Sequence, residues 1–314
     1  MIELIHVTKR FGETTAVDDI SLRVERGELC VLVGTSGCGK STTLRMINRL
    51  IEHSDGEIHI DGQQIREFRE ESLRRRMGYA IQSTGLFPHW TVERNIGLVP
   101  RLLKWPQARI RERVEELMAM LGLSMDEFAG KYPRQLSGGQ AQRVGVARAL
   151  AADPDILLMD EPFGALDPIT RETLQEELRD LQSRLQKTIV FVTHDMDEAL
   201  RLADRLVVMD QGRIKQQGHP LELLREPADD FVESLLGGED RGLKEAALLS
   251  VSERMLPLSP RLLPRERVSQ HATLREALSI MLWRHAERLA VVDDEDMPVG
   301  ELSLRKLVGA KAHD

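Results

Sequence analysis

The chain has 314 residues, 41% of them hydrophobic and 30% charged, with a formal net charge of −8. That is long enough for one large domain and a small one. No run approaches about 18 consecutive apolar residues, so no transmembrane helix is expected, and the start Met1-Ile2-Glu3 lacks the basic-then-apolar pattern of a signal peptide. Residues 241–314 carry 12 basic and 11 acidic side chains, which leaves −9 on residues 1–240, a poor match to nucleic acid, whose binding is driven by phosphate neutralisation.

Short β-patterned runs open the chain at residues 2–7, 20–24 and 29–33. Cys30 falls in the third of these runs and Cys38 in a glycine-rich loop, so a structural disulfide is not expected. Residues 56–62 alternate between two glycines and read as a strand with a turn at Asp61-Gly62. Ile110, Val114, Leu117, Met118 and Leu121 share one helical face, which Gly122 ends. Apolar runs at 156–159 and 188–192 suit strands buried on both faces of a parallel sheet. Strands and helices alternate, so the core is α/β, with a mainly helical insertion over about 83–150. Proline, serine and arginine dominate residues 257–264, a linker composition. Beyond them, Thr273 and Glu276 form a capping box for a helix to about His285. Strands at 289–292 and 299–302 follow, then a short helix, making a small α+β module.

Gly34-Thr35-Ser36-Gly37-Cys38-Gly39-Lys40-Ser41, followed by Thr42, matches the phosphate-binding loop pattern and stands between a strand and a helix. Its glycines let backbone N–H groups curl around phosphates at a helix N-terminus. Lys40 is placed to reach the β- and γ-phosphates of ATP, and Ser41 to bind Mg²⁺. The run at 156–159 ends in Asp160-Glu161, acids at the carboxyl end of a buried strand, where α/β sheets bind ligands. Asp160 would hold Mg²⁺ through water, and Glu161 would orient the attacking water. Between these elements lies Leu136-Ser137-Gly138-Gly139-Gln140, which by itself is a flexible turn with a helix cap.

Residues 1 to about 236 resemble the nucleotide-binding cassette of ABC ATPases, a P-loop fold with a mixed core sheet, an antiparallel β subdomain and a helical subdomain. The resemblance implies that Ser137, Gly138, Gly139 and Gln140 form the signature that contacts ATP on a second subunit, which requires a homodimer. It implies that Phe11 stacks on adenine, core burial being the alternative, and that Gln82 reaches Mg²⁺ and the attacking water. His194 resembles the switch histidine at the γ-phosphate, and Ala165-Leu166-Asp167 the loop that signals across the dimer. Ala141 departs from the glutamine that many members carry there. The segment 83–92, with Leu86, Phe87 and Trp90, is either local core or the groove that receives a helix of a membrane subunit.

Within the family, residues 46–50, 77–90 and 151–154 are most similar to the ATPases for uptake of glycine betaine, choline and carnitine. That kinship implies ATP and Mg²⁺ as cofactors and hydrolysis coupled to import at the cytoplasmic face of the inner membrane. The implied partners are two integral membrane permease subunits and a separate solute-binding protein. A quaternary ammonium needs an aromatic cage, and with 4% aromatic residues the solute contacts are expected on those other subunits. The alternatives are a soluble ABC ATPase uncoupled from transport and a regulatory module that senses nucleotide or ionic strength. The domains expected are a cassette over 1–236, a linker over 237–267 and a module over 268–310 that begins as early as 252. That module resembles a single CBS repeat, which would either sense a ligand or only dimerise.

Overall fold

The structure, a computed structural model, describes residues 1–81, 85–164, 166–258 and 264–307. Two compact units divide the chain, Met1–Leu223 and Leu224–Asp314. The first holds strands β1 (Ile2–Phe11), β2 (Thr14–Val24), β3 (Leu29–Gly34), β4 (Asp55–Ile60) and β5 (Gln63–Gln64). It continues with β6 (Met77–Ala80), β7 (Ile156–Asp160), β8 (Thr188–Val192), β9 (Arg205–Asp210) and β10 (Arg213–Gly218).

These strands form two sheets. One is antiparallel in the order β2-β1-β4-β5, and the other runs β10-β9-β3-β8-β7-β6, parallel except for the β9–β10 pair. β3, β7 and β8 are buried along their whole length, as runs without alternation require. The helix Lys40–Ile47 buries Leu44, Met46 and Ile47 in one cluster with Ile2, Leu4 and Ile58 of the antiparallel sheet and Leu32, Leu158 and Val190 of the core sheet. Each such fully buried side chain contributes roughly 1.5–3 kcal/mol. The helix into which the phosphate loop runs is thereby anchored from two sides.

β1 and β2 run longer than their apolar patterns, because Arg10 pairs with Thr15 and Phe11 with Thr14 at the exposed hairpin end. Backbone ladders need no buried side chains there. The turn at Asp61-Gly62 has φ of +53° and +81°, the left-handed pair that a tight hairpin demands. The insertion is helical among its described residues, with Gln107–Met120 burying Ile110, Val114, Leu117 and Met118.

In the second unit, β11 (Arg267–Ser269), the helix Leu274–Arg284, β12 (Arg288–Val292), β13 (Pro298–Ser303) and the helix Leu304–Leu307 follow the expected order. Thr273 caps the longer helix, accepting the Glu276 N–H while the Glu276 carboxylate accepts the Thr273 N–H. The stretch 237–267 is not a plain linker. It holds the helix Arg241–Leu248, with Ala246 buried, and a 3₁₀ turn at Val251–Glu253. Of its proline-rich part, residues 259–263 lie outside the described residues.

Candidate active site

β3, β8 and β7 are neighbours in the core sheet, so the loops at their carboxyl ends meet. From β3 the chain turns into the helix Lys40–Ile47 through Gly34 and Gly39, whose φ values are +151° and +105°. A Cβ on Gly34 would lie 2.0 Å from the Met209 carbonyl oxygen, and one on Gly39 2.6 Å from that of Ala16. Only glycine fits at either place. Gly39 is the N-cap and no side chain caps this helix, so its first-turn N–H groups are left for an anion.

Lys40 is buried at 6% exposure, and its ammonium donates to the carbonyls of Gly34 at 2.8 Å and Thr35 at 2.9 Å. The Ser41 hydroxyl donates to Asp160 Oδ1 at 2.7 Å. Asp160 is buried at the last position of β7. Glu161 follows with φ +46°, a left-handed conformation uncommon outside glycine and frequent at functional sites. Its N–H donates to the Val192 carbonyl at the end of β8, and its Oε2 lies 3.3 Å from His194 Nδ1. Ser36, Gly37, Cys38, Gly39, Lys40, Ser41, Thr42, Glu161 and His194 together line one open cleft with about 850 Å³ of empty space. Gly34 and Thr35 stand behind it as acceptors for Lys40.

Cys30 and Cys38 are both buried free thiols, and burial raises the Cys30 thiol far above its ordinary range. Gln82 and Ala165 lie outside the described residues. Phe11 is 50% exposed, with the Lys9 ammonium 4.7 Å from its ring centroid, so core burial is ruled out, and it is not among the residues lining the cleft.

The signature lies elsewhere on the same unit. Ser137 caps the helix Gly138–Leu150, accepting the Gln140 N–H, while the Gln140 side chain accepts the Ser137 N–H at 2.9 Å. Gly139 abuts the start of the helix Pro168–Leu185, since a Cβ there would lie 2.9 Å from Thr170. Asp167 caps that second helix, and the Thr170 N–H holds its carboxyl below the usual carboxylate range. Neither Asp167 nor residues 137–140 line the cleft of their own chain.

Of the segment 83–92, residues 83 and 84 lie outside the described residues. Phe87 and His89 are exposed and Trp90 half-buried, with the Phe87 and Trp90 rings 4.6 Å apart. This is a surface cluster and not core. Asn95, fully buried, organises it: its Oδ1 accepts the Phe87 N–H, and its Nδ2 donates to the carbonyls of Phe87, Trp90 and Thr91. The sequence reading missed Asn95, which announces itself only by following a Thr91 cap. It also missed Asp195, which caps the helix Met196–Leu202 by accepting the N–H groups of Asp197 and Glu198. The spacing Asp195-x-x-Glu198 was the available signal.

A backbone cradle with a lysine, an acid-tipped strand and a carboxylate paired with histidine define a P-loop nucleotide hydrolase. Residues 17–164 match the family model described as ABC transporter. The chain is 53% identical to the glycine betaine uptake system ATP-binding protein of Escherichia coli, over 98% of this chain and 99% of that one. It is 48% identical to the glycine betaine/carnitine/choline transport ATP-binding protein of Bacillus subtilis, over 98% of this chain and 79% of that one. Among solved structures, a dimeric bacterial ABC transporter cassette superposes with a TM-score of 0.64 at 36% identity, covering 70% of this chain and 99% of that one. The protein belongs to the ATP-binding subunits of ABC transporters, and it is an importer ATPase subunit homologous to the osmoprotectant-uptake members. No helix among the described residues is long and apolar enough to cross a membrane.

Proposed function

We propose that this chain hydrolyses MgATP in a head-to-tail homodimer and so drives uptake of a small quaternary-amine solute of the glycine betaine or choline class. The observation that carries the reading is the convergence of Lys40, Ser41, Glu161 and His194 on one cleft, with buried Asp160 bonded to Ser41 behind it. Lys40 and the first-turn N–H groups bind the β- and γ-phosphates. Glu161 orients the attacking water and accepts its proton, and His194 contacts the γ-phosphate from the neighbouring loop.

Ser41 and Asp160 offer the hydroxyl and carboxylate oxygens that suit Mg²⁺, and Gln82, which lies outside the described residues, would complete the set. Among the described residues no three His, Cys, Asp or Glu side chains cluster into a cage. An ion held there would take its remaining ligands from water and the substrate phosphates. When bound, Mg²⁺ neutralises charge on the β- and γ-oxygens.

The signature residues Ser137, Gly138, Gly139 and Gln140, with Asp167, serve the cleft of the second subunit, and Phe11 stacks on adenine at the rim. Two integral membrane permease subunits seat on the exposed Phe87–Trp90 surface, which holds the chain at the cytoplasmic face of the inner membrane. A separate solute-binding protein delivers the solute. We read residues 268–310 as an accessory module that senses a ligand or dimerises, on its β-α-β-β-α order alone. Isolation from membranes together with permease subunits, followed by ATP-dependent betaine uptake into vesicles, tests the whole reading. A chain that hydrolyses ATP but never travels with integral membrane proteins belongs to the uncoupled class.

A further inference from the structure

We propose that Arg171 is a positioning residue for hydrolysis, holding the loop that carries His194 in register with the loop that runs from Glu161 to Asp167. The inference rests on the roles given above to Glu161 and His194. Arg171 stands in the first turn of the helix Pro168–Leu185, four residues after its cap Asp167. One arm of its guanidinium donates to the Leu166 carbonyl at 3.1 Å, and the other lies 3.4 Å from Asp195 Oδ2. The planar fork therefore spans two loops that β7 and β8 deliver separately.

On the first side, the Gly164 N–H donates to the Glu161 carbonyl and the Leu166 N–H to the Phe163 carbonyl, each at 3.2 Å. Two hydrogen-bonded turns thus separate Glu161 from the carbonyl that Arg171 holds. On the second side, the Asp195 N–H donates to the Thr193 hydroxyl at 3.0 Å, and the Thr193 N–H to the Leu32 carbonyl of β3 at 3.1 Å. Both neighbours of His194 are pinned in this way while its own ring stays exposed. One turn further along the same helix, buried Gln175 donates to buried Glu198 at 2.9 Å, a second rung between the same two helices.

Stability alone accounts poorly for Arg171. Its ion pair is long and partly exposed, and its Nε is buried with no acceptor, which is destabilising. What the fork supplies is relative placement, and misplacement by about 1 Å at a reacting centre costs on the order of a hundredfold in rate.

Steady-state hydrolysis by the full chain tests this with Arg171→Ala, Arg171→Lys and Asp195→Asn, beside Glu161→Gln as reference. Arg171→Ala is expected to lower kcat roughly tenfold to a hundredfold with KM for ATP within about twofold. Arg171→Lys is expected to recover only part, because an ammonium on a flexible stem lacks the planar fork that presents donors to both loops in fixed directions. Asp195→Asn keeps an oxygen for the helix cap yet loses the charge partner, so its loss should not add to that of Arg171→Ala. A native kcat in Arg171→Ala, or losses that multiply fully in the double variant, overturns the inference. If Arg171→Ala fails to fold, Arg171→Lys and Asp195→Asn decide it, their thermal midpoints being read alongside kcat. A native rate in Glu161→Gln instead overturns the parent reading, whereas loss there with native Arg171→Ala overturns only the positioning role.

Discussion

The Ser41 hydroxyl, 119 positions before Asp160 in the chain, donates to its Oδ1 at 2.7 Å. Parallel pairing of β3 and β7 with β8 between them brings the two together at the carboxyl end of the strands. Ser41→Ala removes one oxygen from this pair. Hydrolysis at limiting Mg²⁺ is expected to fall roughly tenfold, about 1.4 kcal/mol, and to recover as Mg²⁺ is raised. A Mg²⁺ titration that superimposes on that of the native protein would count against the pair as a metal site.

Glu161→Gln keeps the shape of the side chain and removes its basicity. The expected loss in hydrolysis is on the order of 10²–10⁴, with ATP binding retained. Nucleotide affinity and turnover measured on the same preparation separate the two effects, and near-native turnover would show that another group acts as the base.

Ser137 caps a helix whose start does not line the cleft of its own chain. Ser137→Arg is accordingly expected to abolish hydrolysis while ATP binding to a single subunit stays within about twofold of native. Activity strictly proportional to monomer on dilution would rule out a shared site.

Asn95 and Trp90 are expected to fail differently. Asn95→Ala strands the Phe87 N–H and loosens the turn, which costs on the order of 1–3 kcal/mol of stability. Trp90→Ala, on a half-buried surface ring, should leave folding and ATP binding intact. Assembly with permease subunits should weaken roughly thirtyfold, as loss of an aromatic anchor worth about 2 kcal/mol does. Normal assembly of Trp90→Ala would move the docking surface elsewhere.

Burial pushes the Glu198 carboxyl above its ordinary value of 4.5, partly offset by Gln175 and the Thr193 hydroxyl. A carboxyl raised on folding favours its protonated form, so its contribution is whole below the unfolded value and is lost as pH rises through the folded one. Glu198→Gln, which keeps the contact with Gln175, is expected to melt higher than the native protein at pH 7 and to converge with it toward pH 4.5. Thermal melts across that range check the sign, and a variant less stable at pH 7 would refute it.

By itself the sequence determined the phosphate loop, the acid pair Asp160-Glu161 and the strands that carry them, because each is a local pattern, whereas His194 came only with the family resemblance. A glycine with positive φ, an apolar run or a capping pair is specified within about ten residues of chain, where backbone sterics and hydrophobic period act. Tertiary structure alone decided that Phe11 and Phe87 are exposed and Trp90 half-buried, that Asn95 ties the latter turn, and that Arg171 reaches both Leu166 and Asp195. It also placed a helix at Arg241–Leu248 within the stretch expected to be linker. In these cases the deciding partners are set by which strands lie side by side and which faces of the helices meet, and pairing order is not written in any one segment.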